Sequence, residues 1–268
     1  MSTSIGLPEI VYQGKGLTSR QNISVKISRQ EKGHGIIFRI PDKKNEGAFL
    51  DIPAIASSVI NTMRNVTLGV GPNRLCLVEH ILCAVAVWGL EDLLIEVDGP
   101  EIPLGDGSAM FWMDLLESSG WNRVEITSDI ELKEPIILKK GDRVLMAIPD
   151  DKFSSNYMMD WDHPMIGKCW QSWTAAQNPR DICDARTFGS EKEHMMLGIA
   201  DDVVSMTTEG FSKELRWTDE PVRHKLLDLV GDLVLAGVNP MRWKARFISI
   251  KGGHEMDVEM SKRLSALL

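Results

Sequence analysis

The sequence predicts an α+β protein built from two similar two-layer units, with helices sandwiched between two sheets. Three observations carry that prediction. Short alternating strand runs precede helical segments in both halves of the chain. The segment Val78–Leu90 is apolar almost all round and so must be covered on more than one side. A second long helical segment, Pro221–Ala236, buries most of its surface and keeps one polar stripe. With 268 residues, 43% hydrophobic and 25% charged, the chain can bury a large core.

The elements follow from local pattern. Glu9–Gln13, Asn22–Ser28 and Gly35–Ile40 alternate in polarity and read as strands between Gly- and Lys-rich turns. The apolar helix Val78–Leu90 comes next, then the strand Leu93–Val97. A turn rich in Asp, Gly and Pro (Asp98–Ser108) leads to the helix Ala109–Ser119, stopped by Gly120. In the second half, Ile130–Leu138, Arg143–Ile148, Asn156–Asp160 and Ala245–Lys251 read as strands. Pro221–Ala236, closed by Gly237, and Glu255–Leu268 read as helices. The repeated order of strands then helices predicts a boundary near Ile126, giving units 1–126 and 127–268.

Composition excludes several functions. A formal net charge of -8 argues against a nucleic-acid surface, and an anionic substrate would need a local basic patch. No charged-then-apolar signal segment opens the sequence, and no apolar run is long enough to span a bilayer. Cys76, Cys83, Cys169 and Cys183 show no C-x-x-C spacing, so reduced thiols in a cytoplasmic compartment are expected, with Cys76 and Cys83 as packing.

The chemistry concentrates in three places. Glu79 and His80 stand at the mouth of the apolar helix, where burial is costly unless they are paired or metal-bound; a dipole-favoured Glu and a satisfied His are the plain alternative. On the second helix, His224, Asp228 and Asp232 recur at i, i+4 and i+8. Thr218 or Asp219 is placed to cap it, and Pro221 suits its first turn. Imidazole and carboxylate four residues apart sit about 5–6 Å from each other, a workable platform for one metal ion or a simple surface ion pair. Third, Lys251-Gly252-Gly253-His254 follows a strand, and the glycines let the backbone turn sharply and bring His254 to a ligand. Asp184–Gly189 adds Thr187, a candidate donor to an oxyanion, and Phe188, a candidate apolar wall. Two imidazoles and one carboxylate leave an open position for water, with a further carboxylate and a cationic acid to spare. Metal-assisted amide hydrolysis requires that set.

These stretches resemble one family, the UDP-3-O-acyl-N-acetylglucosamine deacetylases of lipid A biosynthesis. The matching segments are Val78-Glu79-His80, Glu101–Ala109, Ala185–Gly189, Val222–Leu233 and Lys251–His254, with Gly14–Ser19 and Gly35–Arg39 matching more loosely. The resemblance implies a zinc-dependent hydrolase, zinc being interchangeable with ferrous iron for such ligands. It implies His80, His224 and Asp228 as metal ligands and Glu79 as general base. His254 looks like the general acid and Asp232 its orienting partner. Lys225 and Thr187 look like oxyanion and substrate contacts, Phe188 like a wall beside the sugar or acyl group, and Lys251 like a phosphate contact. The implied partner is a small nucleotide-sugar substrate. A relative acting on another N-acyl amino sugar, or one that binds without turnover, would share much of this pattern.

Two departures stand out. The family's early GLHSG element reads Gly16-Leu17-Thr18-Ser19-Arg20. The segment after Gly189 is short and carries Asp201, Asp202, Thr207, Thr208 and Glu209 where the family has a hydrophobic run that forms an acyl passage. Met195, Met196, Leu197 and Ile199 are expected to form at most a shallow groove, with weak dependence on acyl length.

Overall fold

The computed structural model describes residues 8–268. The chain begins with two antiparallel hairpins, β1 (Ile10–Lys15) with β2 (Asn22–Arg29) and β3 (Ile36–Pro41) with β4 (Phe49–Pro53). A small three-stranded sheet follows, from β5 (Val59–Asn61), β6 (Thr67–Val70) and β7 (Asn73–Cys76). After it come α1 (Glu79–Trp88), β8 (Leu93–Val97) and α2 (Met110–Ser118). β8 inserts between the hairpins, antiparallel to β2 and parallel to β3, so the sheet order is β1-β2-β8-β3-β4.

The second half repeats this plan. The short β9 (Ile130–Glu131) precedes hairpins of β10 (Ile136–Lys140) with β11 (Arg143–Pro149) and β12 (Ser154–Trp161) with β13 (Gly167–Thr174). A connecting stretch holds α3 (Arg180–Cys183), β14 (Phe188–Ser190), α4 (Glu191–Leu197) and β15 (Val204–Met206). Then come α5 (Glu220–Leu233), β16 (Trp243–Ile250) and α6 (His254–Ser265). β16 inserts as β8 does, antiparallel to β11 and parallel to β12, giving β10-β11-β16-β12-β13. Strand order and strand directions are therefore the same in the two large sheets.

The helices form the shared interior. Every residue of α1 is buried, and α1 packs on both α2 and α5, while α5 also packs on α6, α3 and β12. One apolar core runs continuously from β1 to α6. Gly231 allows α1 and α5 to cross closely: a Cβ there would lie 2.2 Å from the Glu79 carbonyl oxygen. A side chain at that position would push the two helices apart. Ser261 Oγ donates to the Asp232 carbonyl at 2.8 Å and ties α6 to α5.

Most expected elements stand within a few residues of their predicted bounds. Ile130–Leu138 is not one strand: Pro135, which has no N–H to give a ladder, separates β9 from β10. Asp219 occupies the N-cap position of α5 but makes no capping bond, because its carboxylate accepts from Arg223 Nε at 2.7 Å and Gln171 Nε2 at 2.8 Å. The strands β4–β7 and β13–β15 and the short helices α3 and α4 were not anticipated.

Candidate metal centre

The helices α1 and α5 cross so that the first turn of one faces the middle of the other. His80, the second residue of α1, meets His224 and Asp228, which lie one turn apart on α5. The two imidazole rings stand edge to face with centroids 5.1 Å apart. Asp228 Oδ1 lies 3.4 Å from His224 Nε2 and 3.8 Å from His80 Nε2. Two ligand atoms each about 2.1 Å from one tetrahedral ion stand about 3.4 Å apart. His224 Nδ1 is 3.0 Å from the Ala185 carbonyl; donating there leaves Nε2 with its lone pair toward Asp228.

Among the described residues, buried Asp228 Oδ1 has no hydrogen-bond partner, whereas its Oδ2 accepts from Lys225 Nζ at 2.8 Å. A buried carboxylate oxygen facing two imidazole nitrogens and no donor is the environment a cation completes. The residues therefore fit a divalent metal. Protonation agrees. Burial, with His224 beside it, brings the His80 imidazole down to about 3, so the ring is neutral and able to ligate. Burial also lowers His224. Burial would raise Asp228, but His224, Lys225 and His254 together hold its carboxyl well below the usual range.

The proposed proton-transfer groups flank this cluster. Glu79 precedes His80; its Oε2 accepts from the Val66 N–H at 3.0 Å, and burial raises its carboxyl to about 7. His254 opens α6 after Gly253, whose φ of +150° suits glycine, and its Nδ1 lies 2.6 Å from Asp232 Oδ2. Burial disfavours the His254 cation, but Asp232 outweighs it and lifts the ring to about 10. Lys225 Nζ lies 5.8 Å from the Phe188 ring centroid, and that ring is 5.9 Å from His224. Thr187 donates its N–H to the Gly107 carbonyl at 2.7 Å, which joins the Ala185–Gly189 stretch to the Glu101–Ala109 turn. The structure thus brings nine of the ten sequence-predicted residues into one connected region. Lys251 lies at its edge, with Nζ between Asp142 at 2.9 Å and Asp160 at 3.0 Å.

A sequence model of the UDP-3-O-acyl N-acetylglycosamine deacetylases matches residues 7–266. The chain belongs to this family. It is 34% identical to the UDP-3-O-acyl-N-acetylglucosamine deacetylase of Nostoc sp., over 96% of each chain. The enzyme of the same name from Leptospira biflexa is 32% identical, over 94% of this chain and 86% of its own. That of Chlamydia trachomatis is 29% identical, over 96% and 92% respectively.

Both departures from the deacetylase pattern have a structural partner. Thr18 donates its hydroxyl to Glu101 Oε2 at 2.7 Å, and Ser19 donates its N–H to Glu101 Oε1 at 2.7 Å, so the buried Glu101 organises the altered turn. Arg20 stands where the family has its second glycine and adopts a left-handed φ of +58°. Its guanidinium reaches the short segment, pairing with Asp202 at 2.7 Å and donating to the Gly198 carbonyl. The substituted turn and the acidic segment are thus joined to each other. In that segment β14 and β15 pair in parallel around α4, which leaves Met195, Met196 and Leu197 exposed. Ile199, expected in the groove, is instead buried against Leu17, Leu104 and Val203 and anchors the segment.

Sequence reasoning missed Glu220. Buried at the start of α5, it accepts from Arg186 Nε at 2.9 Å, the Arg186 N–H at 2.9 Å and the Arg216 N–H at 2.7 Å, and so fixes the stretch that leads into Thr187 and Phe188. It also missed Trp161, whose ring is 5.3 Å from Phe188. Neither carries a local signal, since the contacts of Glu220 with Arg186 and of Trp161 with Phe188 cross long sequence separations.

Proposed function

We propose that this member of the family removes the N-acetyl group from a UDP-N-acetylglucosamine derivative such as UDP-3-O-acyl-N-acetylglucosamine, a step of lipid A biosynthesis. The observation that carries the reading is the unpartnered Asp228 Oδ1 between two imidazoles, with an acid and a base on either side. His80, His224 and Asp228 would hold zinc or ferrous iron. Such an ion supplies Lewis acidity, which makes water a better nucleophile at neutral pH and polarises an amide carbonyl.

The chain's own residues move the protons. Glu79, steadied through Oε2 by Val66, takes a proton from the attacking water with its other oxygen. The water oxygen bonds to the amide carbon, and Lys225 and Thr187 steady the charge that develops on the carbonyl oxygen. His254, held cationic by Asp232, gives its proton to the amine nitrogen as the C–N bond breaks, releasing acetate and the free amino sugar. Phe188 lines the sugar or acyl face, and Lys251 contacts the nucleotide's phosphates by exchanging one of its aspartate partners.

We place the boundary between the two α+β units near Ile126. The exposed methionines of α4 make a shallow, adaptable surface for the acyl chain rather than a closed tunnel. The free cysteines fit a reducing, cytoplasmic compartment. Among the described residues, no helix is long and apolar enough to cross a membrane. The test is acetate release from UDP-3-O-acyl-N-acetylglucosamine by protein of measured metal content, beside other N-acetyl amino sugars. Metal-loaded protein that binds the nucleotide sugar yet releases no acetate would instead be a binding relative.

A further inference from the structure

Behind the His254–Asp232 pair lies a carboxyl group that the proposed reaction does not use. Asp257 sits one turn into α6, three residues after His254, so both face α5. It is 1% exposed, and among the described residues neither of its oxygens has a hydrogen-bond partner. Asp232 is fully buried, and its Oδ1, the oxygen turned away from His254, has no partner either. Atoms of Asp232, His254 and Asp257 lie within 4.8 Å of one another.

Two buried carboxylates this close cannot both be ionised, so one must keep its proton. Asp232, 2.6 Å from an imidazole held as a cation, carries the charge. The proton therefore belongs to Asp257. A neutral carboxyl has one O–H to give, and the free Asp232 Oδ1 is an acceptor within the same cluster.

We propose that Asp257 is a positioning residue: as a neutral acid it hydrogen-bonds the free oxygen of Asp232 and thereby fixes the carboxylate that orients His254. The cluster is then an imidazolium, a carboxylate and a carboxylic acid with no net charge, which is tolerable in a buried setting.

The groups around it are accounted for. Asp228 and Lys225 lie on α5 beside Asp232, and the buried Tyr157 faces the cluster from β12. β16 contributes the buried Ser249 hydroxyl, which stands beside Tyr157. The single turns at 56–58 and 234–236 that pack on α6 carry no titratable residue. Lys140 of β10 and Arg143 of β11 are both paired with Glu255.

The inference rests on His254 acting as the proton donor, so the experiment includes His254→Ala. Metal-loaded wild type, Asp257→Asn, Asp257→Leu and His254→Ala are compared by kcat and KM across pH, by metal content and by Tm. Asp257→Asn keeps a donor for Asp232 and should retain kcat within about threefold at pH 7. Asp257→Leu should lose roughly 10–100-fold in kcat, the usual scale for an outer hydrogen-bond partner, with little change in KM. Asp257, raised to about 8 by burial and by Asp232, also titrates in the wild type. The fold favours its protonated form, so the stability it contributes is lost as pH rises from the ordinary carboxyl range toward 8. The Tm advantage of Asp257→Asn should accordingly grow between pH 6 and pH 8. That slope remains readable even where the Leu variant fails to fold.

Unchanged kcat in Asp257→Leu, or a Tm difference independent of pH, would overturn the inference. Loss of a second equivalent of metal in Asp257→Asn would overturn it in favour of a metal site. An unchanged alkaline limb in His254→Ala would instead remove the reading on which it rests.

Discussion

Two buried clusters share helix α5 and use the same side chains to opposite electrical ends. The first combines two histidines with one aspartate, and the second combines one histidine with two. In the first, burial strips both imidazoles of their proton while Asp228 keeps its charge. In the second, Asp232 keeps His254 protonated, and the surplus carboxyl, Asp257, is driven toward the neutral acid. The first cluster ends with an acceptor that no described residue satisfies, which is what a metal site would need. The second satisfies its histidine internally, as a proton donor's support should. The ratio of imidazole to carboxylate in each pocket, more than residue type, decides whether a buried histidine is neutral or cationic.

The comparison can be broken most directly at the first cluster. His224→Ala or Asp228→Ala should lower bound metal and drop acetate release to the detection limit, read by metal analysis beside the assay. Glu79→Ala should keep the metal while losing roughly 10²–10⁴-fold in rate, the range for a lost general base. Metal loss equal to that of His224→Ala would make Glu79 a ligand instead of a base.

The second cluster is tested through pH. The proposed mechanism needs ionised Glu79 and protonated His254, so kcat/KM should rise through an acid limb and fall through an alkaline one. Burial raises Glu79 to about 7, and a cation held at Asp228 would draw it lower. In that mechanism His254, lifted to about 10, would set the alkaline limb, which His254→Ala should abolish. Both limbs belong to a coupled set of groups.

The distance between the clusters depends on the α1–α5 crossing. Gly231→Ala should cost about 1–3 kcal/mol of stability, because its Cβ meets backbone at the Glu79 carbonyl. It should also weaken metal binding, since His80 moves with α1; urea unfolding and metal titration read the two effects. The smallest effect expected concerns the acyl chain. Burying one methylene is worth about 0.8 kcal/mol, so a closed tunnel would give a steep rise in kcat/KM with chain length. The open face of α4 predicts a shallow dependence across a series of otherwise identical substrates, and a steep rise continuing to long chains would show that a tunnel forms.

Much of the site was legible because it is periodic. His224, Asp228 and Asp232 share one face of α5 at any length of helix, and the apolar run after Glu79-His80 announces a buried helix whatever covers it. The repeated order of strands and helices likewise marked an α+β chain in two similar halves. Folding decided what lies far apart in sequence. It placed His80 against Asp228, put Glu220 under Arg186, joined Arg20 to Asp202, turned Ile199 inward, and set Asp257 against a carboxylate on another helix. Periodicity states which residues share a face of one element. Only packing, constrained here by a glycine at the helix crossing, states which faces meet, and the charge that each buried group carries follows from that meeting.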